Sequence, residues 1–183
     1  MKLYLDELDS PIGMLRVVND GKVLRAIEFE DYETRLHRYL QRHCAAQYTV
    51  HAAESVGVAA EIRARLMAYL AGDLQAIDAI AVRTGGTPFQ QRVWAALRRI
   101  PAGATMSYGQ LAQTIGSPSA TRAVGLANGA NPIPVVVPCH RVIGASGKLT
   151  GFGGGLHRKQ WLLSHESGQG VLAMSAPDAL SAT

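Results

Sequence analysis

The run Pro134-Val135-Val136-Val137-Pro138, with the residues just after it, limits the fold more than any other stretch of this sequence. A run of β-branched residues this short, bounded by prolines, favours a buried strand over a helix. Pro138 offers no donor to a strand ladder and Gly144 lies just downstream, which indicates a turn. We therefore predict a strand over 134–137 that ends in a turn carrying Cys139 and His140.

Cys139 has two interpretations at this point. A thiol beside an imidazole, at the end of a rigid element, is a candidate nucleophile. A cysteine next to an apolar run is also typical of a small buried hydrophobe. The spacing alone leaves these two interpretations evenly balanced.

The charges divide the chain into two unequal halves. Residues 1–83 carry 10 Lys and Arg against 12 Asp and Glu, whereas residues 84–183 carry 8 against 2. No carboxylate side chain occurs between Thr84 and His165. A basic region without acids suits a polyanion-binding surface, because each acid would repel phosphate. The alternative is a solvated basic face on a small domain, which composition does not exclude.

Composition and cysteine count indicate a protein of a reducing compartment. The 183 residues suffice for one large or two small domains. Two cysteines, at 44 and 139, do not make a disulfide framework, and neither a signal peptide nor a membrane span is evident. We expect a cytoplasmic protein without membrane association. His37, His43, Cys44 and His51 match no common zinc spacing, so we expect no metal.

The first half reads as a small α+β unit. Strands are predicted over 3–8, 14–18 and 23–30, with Asn19-Asp20-Gly21 as a hairpin turn between the last two. Helices are predicted over 33–43 and 58–71, and a further strand over 77–82. The segment 83–86 looks like a linker, so the predicted domains are 1–83 and 84–166, followed by a disordered tail over 167–183.

The second half is predicted to be mostly helical. Thr87 with Gln90, and Ser107 with Gln110, form capping boxes that open two helices. Ser117-Pro118 predicts the start of a third helix that runs to about residue 128, and a final helix covers 156–165.

The helices that start at Ser107 and Ser117 are joined by a tight turn at Gly116, which indicates a helix-turn-helix. On the second helix Ala120, Val124 and Ala127 would face the core, whereas Arg122, Gly125 and Gly129 would face outward. A helix face with two glycines can lie close to another backbone, and Arg122 would be the one long side chain that extends from it. The alternative is a weak, glycine-rich surface helix. The helix lies in the acid-free half of the chain, which favours the nucleic-acid-binding interpretation.

The orienting group of a cysteine–histidine pair is found by elimination. A third group usually orients the base that activates a nucleophile. The second half offers only Glu166 and Asp178 as carboxylates, and Asp178 lies in the tail. The residues therefore indicate a Cys139–His140–Glu166 array, without naming its substrate.

Several ordered motifs resemble one family. Pro138-Cys139-His140-Arg141-Val142 is similar to the active-site motif of the O6-alkylguanine-DNA alkyltransferases, also called methylated-DNA–protein-cysteine methyltransferases. The similarity extends, in chain order, to the segments at 87–91, 107–112, 122–125, 131–132 and 161–166. It covers about 84–166 closely. The resemblance implies an α+β protein, with an N-terminal ribonuclease-H-like domain and a C-terminal helical domain that carries the helix-turn-helix and the cysteine.

The resemblance also implies catalytic roles. Cys139 would accept the alkyl group, and His140 would take its proton through a water while Glu166 holds the imidazole. Asn131 would brace the active-site turn. Tyr108 would face the flipped nucleotide and help to protonate the departing guanine.

The resemblance further implies the substrate contacts. Arg122 would enter the duplex from the minor groove and fill the gap left by the extruded base. The other DNA-contacting residues would be Thr121, Ala123, Gly125, Ala127 and Gly129. The pocket would be formed by Tyr108, Val142, Phe152 and Gly153. Phe152 and Gly153 stand where many members have tyrosine and a small non-glycine residue, and Gly153 is expected to loosen the pocket loop.

The implied function is irreversible, single-turnover transfer of the alkyl group from O6-alkylguanine, and from O4-methylthymine, to Cys139. We expect no cofactor, because displacement at a methyl carbon needs none, and a monomer that binds double-stranded DNA. Two rival functions are a cysteine hydrolase using Cys139, His140 and Glu166, and a non-enzymatic DNA-binding damage sensor. The hydrolase lacks a clear oxyanion-hole loop, and the nucleophile counts against the sensor.

Overall fold

A computed structural model describes residues 1–44, 48–52 and 57–168. It confirms the α+β class. The strands are β1 (Lys2–Leu8), β2 (Leu15–Asn19), β3 (Leu24–Phe29), β4 (Thr49–Ala52), β5 (Met106–Ser107) and β6 (Val142–Ile143). The helices are α1 (Glu33–His43), α2 (Gly57–Leu70), α3 (Pro88–Leu97), α4 (Tyr108–Thr114), α5 (Thr121–Gly129) and α6 (Leu156–Glu166).

The first half builds a four-stranded sheet in the order β3-β2-β1-β4. The β1–β2 and β2–β3 pairs are antiparallel, and β4 joins β1 in parallel. The predicted hairpin turn is confirmed: Gly21 has a φ of +80°, and the Asp20 carboxylate accepts from the backbone N–H groups of Lys22 and Val23. Every residue of β3 is buried, because α1 covers one face and the second half of the chain covers the other.

The second half packs helices around the loop that carries Cys139. Both predicted capping boxes are present, with the Thr87 hydroxyl accepting from the Gln90 N–H and the Ser107 hydroxyl accepting from the Gln110 N–H. One apolar cluster runs through both halves, from Leu15 and Phe29 in the sheet to Trp94 and Val137 beside the active-site turn. The loop that carries Cys139 is therefore buried against both halves.

The predicted strand over 134–137 is wrong. These residues form a buried turn in which the Val137 N–H donates to the Ile133 carbonyl at 2.8 Å, and Val135 has a φ of +73°. Positive φ is unfavourable for a β-branched residue, so surrounding contacts must hold this turn in place. The apolar composition reflected burial rather than strand pairing.

Two other local predictions were wrong, and one strand was missed. Residues 76–79 form a 3-10 turn, and within 77–82 only Val82 pairs with a strand residue, Leu24. The Ser117 side chain does not cap a helix; Pro118–Ala120 form a 3-10 turn, and α5 begins at Thr121. The strand β4 was not predicted, because its four residues are all exposed and lack alternating burial.

Other predictions fall outside what the structure tests. The predicted disordered tail lies, from residue 169 onward, outside the described residues; Ser167 and Gly168 form the turn that ends α6. The ribonuclease-H-like assignment, the helix-turn-helix and the domain boundary stay predictions. Among the residues described, no group of three or more potential metal ligands occurs, and no helix there is long and apolar enough to cross a membrane.

Candidate active site

Cys139 is held at the start of a short 3-10 turn by side-chain amides at the end of α5. The Asn131 amide donates to the Val137 carbonyl at 2.7 Å, and its oxygen accepts from the Ile133 N–H at 3.0 Å. Asn128 donates to the Cys139 carbonyl at 3.3 Å. Prolines at 132, 134 and 138 carry no N–H, so this segment is poorly suited to pairing as a strand. The two amides supply its carbonyl groups with the donors that a neighbouring strand would have given.

Glu166 orients His140, as elimination along the sequence predicted. The His140 Nε2 atom lies 2.9 Å from Glu166 Oε1, and both side chains are fully buried. The other ring nitrogen, Nδ1, is buried and has no hydrogen-bond partner among the described residues. With Nε2–H donated to the carboxylate, Nδ1 carries the free lone pair, so it is the ring atom available to take a proton.

The Glu166 carboxylate is at the centre of a larger network. Arg141 donates to it twice, from Nε to Oε2 at 2.9 Å and from a terminal nitrogen to Oε1 at 2.7 Å. Tyr69 donates to Oε1 at 2.7 Å, and the Gly103 N–H donates to Oε2 at 3.2 Å. A charge this deeply buried needs such a complete shell of donors.

The electrostatics set the resting protonation states. Burial raises the pKa of the Cys139 thiol, opposed by a hydrogen bond from Asn131 and the charge of Lys159. Burial lowers the pKa of His140 despite its bond to Glu166. Burial alone would raise the pKa of Glu166, but the hydrogen bonds from His140 and Arg141 hold it well below its usual range. The resting site is therefore a neutral thiol, a neutral imidazole and a carboxylate.

Basic side chains hold the loop beyond Val142 by its carbonyl groups. Lys159 donates to the carbonyls of Val142 and Thr150 at 2.6 and 2.8 Å. Burial lowers the pKa of Lys159 to about 8. The Tyr108 hydroxyl donates to the same Thr150 carbonyl at 3.0 Å, which places Tyr108 beside this loop. The predicted pocket residues Val142 and Tyr108 are thus linked to the same loop, through the Thr150 carbonyl and Lys159.

Gly153 contacts the first half of the chain, and the expectation that it loosens this loop stays a prediction. Its carbonyl accepts from Arg35 of α1 at 2.7 Å, and Arg35 is in turn paired with Glu28. A Cβ at position 153 would collide with the Arg35 guanidinium, so any larger residue there would displace the Arg35 side chain from its present contacts. The neighbouring Phe152 ring packs edge-on against Phe29, at 6.3 Å between centroids.

The predicted DNA-contacting residues lie on α5. Thr121, Arg122, Ala123 and Gly129 are exposed, and Gly125 is half-buried beside the Tyr108 ring. Ala127 is wrong as a contact residue: it is 3% exposed, and its carbonyl accepts from the Trp94 indole N–H at 2.8 Å. Its packing role, also predicted, is confirmed.

Four functional-site contacts were missed from the sequence. Arg141 and, from the first half of the chain, Tyr69 donate to the Glu166 carboxylate. Lys159 and, again from the first half, Arg35 donate to carbonyl groups of the loop beyond Cys139. For Arg141 a signal existed, since it directly follows Cys139 and His140 in a half of the chain that holds only two carboxylates. No local pattern points to the other three.

Comparisons with known proteins agree on one family. A family model described as "6-O-methylguanine DNA methyltransferase, DNA binding domain" matches residues 88–168. A Salmonella typhimurium methylated-DNA–protein-cysteine methyltransferase is 50% identical over 168 residues, covering 91% of this chain and 96% of that protein.

Solved structures give the same result. The crystal structure of a Mycobacterium tuberculosis O6-methylguanine methyltransferase is 42% identical with a TM-score of 0.73, covering 91% of this chain and 94% of that one. A second M. tuberculosis structure, in complex with DNA, has the same identity and TM-score and covers 92% of this chain and 94% of that one.

Proposed function

The chain belongs to the methylated-DNA–protein-cysteine methyltransferase family, and we propose that it repairs DNA by moving the alkyl group of O6-alkylguanine onto Cys139. The observation that carries the assignment to these residues is the buried array of Cys139, His140 and Glu166, with His140 Nδ1 left unpartnered among the described residues. Family membership counts against the hydrolase, and the presence of Cys139 counts against the non-catalytic sensor.

The proposed transfer is a displacement at carbon. His140 Nδ1 takes the thiol proton through a water, and Glu166 stabilises the imidazolium that forms. The Cys139 sulfur then forms a bond to the alkyl carbon while the bond from that carbon to guanine O6 breaks. The departing guanine keeps the bonding electrons and accepts a proton, for which Tyr108 is the proposed donor.

The resting neutrality of the site supports this order of events. A thiol with a raised pKa and an imidazole with a lowered pKa hold no separated charge in the absence of substrate. Cys139 therefore has to lose its proton to His140 before its sulfur attacks. The product thioether is a poor leaving group, so each molecule acts once, and no cofactor is needed.

We propose that α5 binds the minor groove and that Arg122 fills the space of a flipped nucleotide. The groove is only about 6 Å wide, so a helix can enter it only with small residues on its face. A Cβ at Gly129 would meet nothing within 4 Å, so packing within the protein does not demand glycine there. Flipping costs a few kcal/mol, and less at a damaged pair.

Further parts of the proposal concern substrate range and setting. O4-methylthymine is a second substrate, because it presents an alkyl group on a comparable exocyclic oxygen. Residues 1–83 and 84–166 act as two domains of a monomer. The protein works in the cytoplasm, where thiols stay reduced.

The decisive experiment follows a labelled methyl group. Duplex DNA carrying radiolabelled O6-methylguanine is incubated with the protein and resolved by denaturing electrophoresis. Label on the wild-type protein, and none on Cys139→Ala, is the expected result. Label that stays in the DNA with wild-type protein would refute the function, and label released into solution would indicate a hydrolase.

A further inference from the structure

Tyr69 joins the active site from the other half of the chain. It lies in α2, 97 residues before Glu166, and its side chain is fully buried. Its hydroxyl donates to Glu166 Oε1 at 2.7 Å, the same oxygen that lies 2.9 Å from His140 Nε2. One carboxylate oxygen therefore serves both the catalytic histidine and a residue of the first half.

We propose that Tyr69 is a positioning residue for alkyl transfer, whose hydroxyl fixes the Glu166 carboxylate against His140. The proposal rests on the proposed function of this site. It assigns the first half of the chain a part in the chemistry, beyond support of the fold.

The surroundings of Tyr69 keep its hydroxyl in place. Its backbone carbonyl lies 2.8 Å from the His165 Nε2 atom, and the two rings meet edge-on at 5.3 Å between centroids. His165 is in turn stacked on Trp161, at 4.7 Å. Helix α6, which carries Glu166, is thus tied to Tyr69 at two adjacent residues.

The Tyr69 hydroxyl acts as a donor throughout the pH range of the reaction. Burial and the neighbouring Glu166 charge raise its pKa far above the ordinary value, so it stays protonated. A neutral donor on Oε1 restrains the carboxylate without adding a charge. It also takes up part of the hydrogen-bonding capacity of that oxygen, which moderates its attraction for a proton on His140.

Removing the hydroxyl therefore has a directional effect on the histidine. The groups that act on the His140 charge are Glu166 from α6, which favours it, and Arg141 and Lys159, which oppose it, in addition to burial. Without Tyr69 as a donor, Glu166 Oε1 accepts more strongly from His140, and the imidazolium is better stabilised. The acid limb of the rate profile then moves to higher pH.

The test compares two tyrosines that each link the two halves. Tyr69→Phe removes the hydroxyl and keeps the ring. Tyr39→Phe is the matched control, because the Tyr39 hydroxyl accepts from the Gly85 N–H at 2.9 Å and its ring contacts His43, away from Glu166. Single-turnover rates are measured from pH 5 to pH 9, well below each melting temperature, on duplex DNA with one O6-methylguanine.

We expect Tyr69→Phe to react about tenfold more slowly at the plateau, since a hydrogen bond to a charged group is lost. Its acid limb shifts to higher pH, while its affinity for undamaged DNA stays at the wild-type value. Tyr39→Phe keeps both the rate and the profile. A Tyr69→Phe protein that loses thermal stability but retains the wild-type rate and profile would overturn the proposal. Failure of the wild-type protein itself to take the methyl group would count against the proposed function instead.

Discussion

The catalytic turn and helix α5 lie next to each other but are built in opposite ways. The turn is fully packed: Glu166 accepts from four residues, and the carbonyls around the pocket are bound by lysine and arginine. Helix α5 presents exposed small residues together with Arg122 and Leu126. The difference indicates that the side chains of the catalytic turn are already arranged before DNA binds, whereas the exposed side chains of α5 gain their partners only from the DNA.

Glu166→Gln should show the largest effect, and it should fall on both stability and activity. The substitution leaves the guanidinium of Arg141 buried without its counter-charge, which typically costs about 3–5 kcal/mol. Urea denaturation at pH 7 measures the loss. A variant with wild-type stability would contradict the view of the catalytic turn as a network with interdependent charges.

Arg122→Ala should show the reverse pattern. Its exposed side chain contributes little to folding, so the free energy of unfolding should change by less than about 0.5 kcal/mol. Repair in duplex DNA should fall by about 2 kcal/mol, or roughly 30-fold, as for a dominant interface residue. Reaction with free O6-methylguanine base should be unchanged, and equal losses on the two substrates would refute the role in the duplex.

Gly153→Ala should destabilise the protein by about 1 kcal/mol, because the new methyl group pushes the Arg35 guanidinium away from the Gly153 carbonyl and Glu28. Thermal unfolding measures this loss. The double variant with Arg35→Ala should recover part of it. Absence of any recovery would show that the guanidinium does not hold the loop.

Gly125→Ala, on α5, should change stability in the opposite direction. A Cβ there meets the Tyr108 ring only at an ordinary 3.9 Å, and alanine is favoured over glycine within a helix by about 1 kcal/mol. We expect a small gain in stability together with weaker binding to duplex DNA in a gel-shift assay. Unchanged DNA affinity would mean that α5 does not approach the duplex closely at this position.

Acid should weaken the catalytic turn by a smaller amount. Both His140 and Glu166 have pKa values below those of the unfolded chain, so each contributes stability that is present above its unfolded pKa and lost as pH falls. Stability should therefore decline first below about pH 6.5, from His140, and again below about pH 4.3, from Glu166. Denaturation at several pH values should show the first decline in the wild-type protein and a weaker one in His140→Gln.

The sequence predicted the parts of the site that depend on local pattern. Capping boxes at Thr87 and Ser107 located two helices, because capping is a property of four consecutive residues. Glu166 was found because the second half holds so few carboxylates. The run over 134–137 was predicted wrongly, since burial makes a turn and a strand equally apolar.

The contacts that cross the chain were beyond prediction from pattern. Tyr69 and Glu166 are 97 residues apart, and Arg35 and Gly153 are 118 apart. Helical periodicity places Tyr69 on a buried face, but it does not say which side chain meets it there. The contact between Gly153 and Arg35 was missed for the same reason, because the arginine lies in the first half.

The mass of the protein after one reaction shows whether Cys139 keeps the alkyl group. Wild-type protein is mixed with an excess of duplex DNA containing O6-methylguanine, digested, and analysed by mass spectrometry. We predict one added methyl group per molecule, located on the peptide that carries Cys139, with no further change however long the incubation. An unmodified Cys139 after the lesion has disappeared from the DNA would contradict this prediction.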